Sequence, residues 1–90
     1  MGIEVNIPPF LQPLIGGARQ VEVEGDTVGA CLAELARRYP RLKDKLFDKV
    51  GKLPKGMNIF VNGKSIYPGG VTAPVRDGDK IHITYVIQGG

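Results

Sequence analysis

Gly25-Asp26-Thr27-Val28-Gly29-Ala30-Cys31-Leu32-Ala33-Glu34-Leu35-Ala36-Arg37-Arg38-Tyr39-Pro40 is the stretch that decides the fold. Val28, Cys31, Leu32, Leu35 and Tyr39 recur at spacings of three and four, which lines up one apolar face of a helix. Asp26 and Thr27 supply oxygens that can cap its first free N–H groups. Ala30, Ala33 and Ala36 favour helix, and Gly29 weakens it. Pro40 ends it, because the residue before a proline is pushed out of helical geometry. A helix with one apolar face has to bury that face against a second layer.

The flanks supply the layer. Ile3, Val5 and Ile7 alternate with Glu4 and Asn6 as a half-buried strand, stopped by Pro8-Pro9. Phe10 to Ala18 reads as a long connection with one helical turn, closed by Gly16-Gly17. Val21 and Val23 alternate with Gln20, Glu22 and Glu24 as a second strand, antiparallel to the first. Beyond the helix, Leu42, Leu46 and Phe47 suggest a short second helix, and residues 51–56 a loop. Ile59-Phe60-Val61 is a strand, Asn62-Gly63 a tight hairpin turn, and Lys64-Ser65-Ile66 the return strand. Gly69-Gly70, Pro74 and Asp77-Gly78-Asp79 mark a turn-rich crossing into a last strand, Lys80 to Val86. This order predicts an α+β, β-grasp (ubiquitin-like) fold: a mixed five-stranded sheet with one main helix across one face. The first and last strands lie parallel in its middle. Residues 1–86 form the domain, and residues 87–90 a flexible diglycine tail.

Composition limits the function. Ninety residues hold one small core and leave no room for a deep cleft between domains. No apolar run approaches the roughly 20 residues that span a bilayer, and the first residues lack the features of a signal peptide. A single cysteine excludes an internal disulfide, so the expected home is the cytoplasm. The net charge of +3 is uneven: residues 37–55 carry eight basic residues against Asp44 and Asp48. Nucleic-acid binding would want interleaved aromatic residues there, and only Tyr39 and Phe47 occur, at core-like positions. The segment reads as a solvated face, with an acidic partner surface as the alternative. Cys31 sits on the apolar helix face as a packing thiol, and one histidine, His82, makes no metal site. No catalytic residue is expected.

Two features remain. If Ile59 and Val61 face the core, Phe60 faces the uncovered side of the sheet, together with His82, Thr84 and Val86. Phe60 is either a partner anchor or is covered by the long loop through Phe10 or Leu11. The partner-binding face is therefore Phe60, His82, Thr84 and Val86, continued by Ile87 and Gln88. Gly89-Gly90 follow without side chains, so they can thread a narrow channel. Residues 87–90, extended, reach roughly 13 Å.

With Ile3-Glu4-Val5-Asn6-Ile7-Pro8, Gly25-Asp26-Thr27-Val28, Asn58-Ile59-Phe60-Val61-Asn62-Gly63, Val75-Arg76-Asp77-Gly78-Asp79 and Gly89-Gly90 in this order, the whole chain resembles the ubiquitin-like sulfur carriers. That family includes the thiamine-pathway carrier, the small subunit of molybdopterin synthase and the carrier of a cysteine-forming route. The loop with Ile7-Pro8 and Leu11-Gln12-Pro13 resembles the last most closely; Tyr85-Val86-Ile87-Gln88 departs from the Pro and Ala that many members place before the diglycine. The resemblance implies a non-enzymatic carrier, monomeric when free and binding no cofactor itself. An adenylating partner of the ubiquitin-activating type would use ATP on the Gly90 carboxylate. A sulfur donor would then leave a thiocarboxylate, with Gly89 giving access. A cysteine synthase, or the large subunit of molybdopterin synthase, would take the sulfur. A ubiquitin-like modifier, joined to lysines through Gly90, starts from the same activation. No nucleic acid and no membrane is implied.

Overall fold

Helix α1, Val28–Arg38, is the stretch quoted above. The Thr27 hydroxyl oxygen accepts the Ala30 N–H at 3.1 Å and caps its start. Val28, Cys31, Leu32 and Leu35 are fully buried, as the spacing requires. The computed structural model describes residues 2–47, 53–54, 56–66 and 70–85. Before α1 come β1 (Ile3–Asn6) and β2 (Gln20–Val23); after it come α2 (Lys43–Leu46), β3 (Met57–Val61), β4 (Lys64–Ser65) and β5 (Lys80–Tyr85). The predicted end of β5 at Val86, and the tail from Ile87 to Gly90, lie outside the described residues.

The strands form one sheet in the order β2-β1-β5-β3-β4. β1 pairs antiparallel with β2 and parallel with β5, and β3 pairs antiparallel with β5 and β4. The first and last strands are thus central neighbours. The β3–β4 turn uses Asn62 at φ 52° and Gly63 at φ 86°, the two positive values that a two-residue hairpin demands. β4 is one residue shorter than the alternation suggests. Ile66 leaves it for the core, although its N–H still donates to the Ile59 carbonyl at 3.1 Å.

One face of the sheet packs on α1 through Ile3, Val5, Val21, Val23, Met57, Ile59, Ile81 and Ile83. Leu11 and Ile15, from the loop and its 3-10 turn Gln12–Ile15, join Leu42 and Leu46 in the same core. Among the described residues no buried side chain is polar or charged, so burial of apolar area holds the layers together. Arg38 closes the outer edge: its guanidinium donates to the Glu22 carbonyl at 2.7 Å, covering an acceptor on edge strand β2. Among the described residues no helix is long and apolar enough to cross a membrane.

Two positions around Cys31 give measurable consequences. A Cβ on Gly25 would lie 2.9 Å from the backbone nitrogen of Cys31 and 2.9 Å from its sulfur. Gly25→Ala is expected to cost about 1–3 kcal/mol through this overpacking, read as a lower urea midpoint at unchanged slope. Cys31 is fully buried. Burial pushes its thiol up to about 11, and the Asp26 charge adds to the shift. The thiolate fraction at pH 8 thereby falls to about 0.1%. Reaction with a disulfide reagent at pH 8 should be at least ~100-fold slower in the native protein than in urea. Comparable rates would show that the helix–sheet interface opens readily.

Candidate functional site

The tail follows β5, so whatever fixes β5 fixes the tail's origin. The start of β5 is held by Asn62. Its N–H donates to the Lys80 carbonyl at 2.9 Å, and its side-chain oxygen accepts the Lys80 N–H at 2.9 Å. The Asn62 amide also donates to the Asp79 carboxylate at 2.9 Å, which accepts the Arg76 N–H at 2.9 Å as well. These bonds hold the Asp79 carboxyl below its ordinary range, the Asn62 bond first and the Arg76 N–H next. Asp77-Gly78-Asp79 is therefore a turn whose second carboxylate is used internally. Pairing then carries β5 between its neighbours: Ile81 opposite Val5 and Val61, Ile83 opposite Ile59, Tyr85 opposite Met57.

On the uncovered face this register places His82 between Asn6 and Phe60, and Thr84 beside Asn58. Three of the residues expected on a partner face, Phe60, His82 and Thr84, are thus brought together. His82 and Thr84 are exposed and Phe60 is half-buried. The Thr84 hydroxyl donates to the Asn58 carbonyl at 3.2 Å. Val86, Ile87, Gln88, Gly89 and Gly90 lie outside the described residues. The rest of the face is polar: Glu4 accepts from the Asn6 amide at 3.2 Å, and Glu22 and Lys80 lie alongside.

The long loop does not use Phe10 or Leu11 to cover Phe60. Leu11 is in the core, and Phe10 turns to the end of β5. Its ring meets Tyr85 edge-on, with centroids 5.4 Å apart and planes at 64°. Phe10 is 51% exposed and Tyr85 39%, the exposed large hydrophobics among the described residues. Sequence reasoning did not single them out. Tyr85 shares the alternation of Ile81 and Ile83, which marks it for the covered face; at the strand's end that face reaches solvent. Nothing in the loop's sequence assigns Phe10 to that ring.

Among the described residues no three His, Cys, Asp or Glu side chains are grouped to hold a metal ion. Cys31, the chain's one thiol, is buried in the core.

Known proteins share this architecture over the full length. The sulfur carrier protein CysO of Mycobacterium tuberculosis is 36% identical over 93 residues, covering 100% of this chain and 100% of that protein. A chain of the BexX/CysO complex of Amycolatopsis orientalis superposes with a TM-score of 0.88 at 32% identity, covering 98% of this chain and 99% of that one. Small archaeal modifier protein 1 of Methanosarcina acetivorans gives a TM-score of 0.85 at 27% identity, over 98% of this chain and 95% of that one. These relatives bear out the fold and the resemblance to ubiquitin-like sulfur carriers. The model of the ThiS family matches residues 5–90, the terminal diglycine included, and the chain belongs to that family.

Proposed function

We propose that this protein is a sulfur carrier whose working group is the carboxylate of Gly90. The observation that carries the reading is the full-length similarity to CysO, with a family match that runs through residue 90. In the proposed cycle an adenylating enzyme of the ubiquitin-activating type joins the carboxylate to the α-phosphate of ATP and releases pyrophosphate. A sulfide equivalent attacks the acyl carbon, AMP leaves, and the terminus becomes a thiocarboxylate. A synthase then accepts the sulfur, water supplies the oxygen that returns Gly90 to a carboxylate, and the carrier is reused. Gly89 adds no side chain to obstruct the reaction. The domain contributes position and recognition, the latter through Phe60, His82, Thr84, Val86, Ile87 and Gln88, and all bond-making belongs to its partners. CysO as a relative favours cysteine biosynthesis as the destination, with molybdopterin synthesis as the alternative.

A second reading is favoured by the likeness to small archaeal modifier protein 1. In it, the same activated Gly90 acylates lysine side chains of other proteins.

The two readings separate on intact mass. Protein isolated from its own cells should include a species heavier by about 16 Da, the exchange of one carboxylate oxygen for sulfur. Deleting Gly89-Gly90 should remove that species and all sulfur transfer while leaving thermal stability within ~0.5 kcal/mol of the parent. Lysine conjugates without the heavier species would establish the modifier instead. Pathway function that survives the deletion would rule out both.

A further inference from the structure

Tyr85 immediately precedes Val86-Ile87-Gln88-Gly89-Gly90. Five residues at full extension span at most ~17 Å. Any enzyme that holds the Gly90 carboxylate in its active site must therefore bring its surface close to the Tyr85 end of the domain. That end carries the exposed Phe10–Tyr85 pair. Beside the pair lies a depression of about 420 Å³, walled by Phe10, Tyr85, Pro54, Asp44 and Lys45. Asp44 and Lys45 are exposed on its wall, and the same segment, residues 41–45, also exposes Arg41 and Lys43, the latter towards Arg37 and Phe47. Among the described residues the ion pairs are those of Glu34 with Arg37 and Arg38, so none engages these three cations.

We propose that the enzyme activating the tail docks on this end, taking Phe10 and Tyr85 into an apolar seat and facing the adjoining basic segment 41–45 with an acidic rim. The inference rests on the sulfur-carrier reading, because it needs a partner that receives the tail. Three observations favour the assignment. The short tether forces contact here. An edge-on aromatic pair offers a large, rigid apolar area at little entropic cost, the usual make-up of a binding anchor. Segment 41–45 carries three cations against Asp44, unpaired among the described residues, so the complementary surface is acidic, and the attraction is screened by salt. The uncovered sheet face, where Glu4 and Glu22 lie in the row of Lys80, shows no such excess of positive charge and is left to the sulfur-accepting synthase.

The test uses the adenylating enzyme that generates the heavier species described above, with the full chain as its substrate. Phe10→Ala should raise KM ~10-fold or more at unchanged kcat, the signature of lost docking. The double variant Lys43→Glu/Lys45→Glu should raise KM ~10-fold at low salt and less than ~2-fold at 0.5 M salt. The lysine variant alters only exposed positions, so it tests the acidic rim even if Phe10→Ala proves poorly folded by circular dichroism. Tail-dependent activation with KM unmoved by both variants would overturn the docking assignment and leave the carrier reading standing. A KM change independent of salt would overturn the acidic rim. Activation that ignores the tail would instead overturn the carrier reading.

Discussion

The structure depends on one pairing, that of β1 with β5. Strands from opposite ends of the chain lie parallel at the centre of the sheet, with Val5 beside Ile81 and Asn6 beside His82. A parallel pair cannot close through a tight turn, so the intervening chain has to cross over, and α1 lies within that crossing. The outer strands add to the two sides of the central pair. The same pairing decides where function can sit. It holds the strand that leads into the C-terminal segment between two neighbours, with Ile81 and Ile83 buried.

The start of β5 is tied as well. Asn62 bonds Lys80 twice and Asp79 once, and Asp79 also takes the Arg76 N–H. One hairpin residue thus ties the β3–β4 turn, the Asp77-Gly78 turn and the first rung of β5 together. A one-residue slip of β5 would break these bonds and would exchange Ile81 and Ile83 for His82 and Thr84 in the core. Polar satisfaction and apolar burial therefore select the same register.

Most of this architecture was legible in the sequence because it follows from short-range periodicity. The helix spacing from Val28 to Tyr39, the alternation in each main strand, and Asn62-Gly63 each have a local physical cause. The central parallel pair followed from their order. What was not legible depends on contacts between distant segments. Phe10 and Leu11 are adjacent apolar residues in one loop, yet Leu11 enters the core and Phe10 meets Tyr85, 75 positions away. Leu11 lies just before the 3-10 turn Gln12–Ile15, whose Ile15 is buried with it. The capture of the Glu22 carbonyl by Arg38 and the close approach of Gly25 to Cys31 are likewise tertiary. Of the candidate site, the face formed by Phe60, His82 and Thr84 could be read from alternation; the aromatic end of β5 could not.

Under the proposed function, the burial of Cys31 has a chemical consequence. An acyl adenylate, or a thiocarboxylate, is open to attack or exchange by any accessible thiolate. In the proposed cycle, attack of the chain's own cysteine on the acyl adenylate, with AMP leaving, would form a thioester and divert the activated carboxylate. Cys31 is fully buried, with its thiol raised to about 11. The one thiol of the chain is thus withheld both from contact and from its nucleophilic form. Packing that serves the core would thereby also keep the chain's own thiol away from an activated terminus.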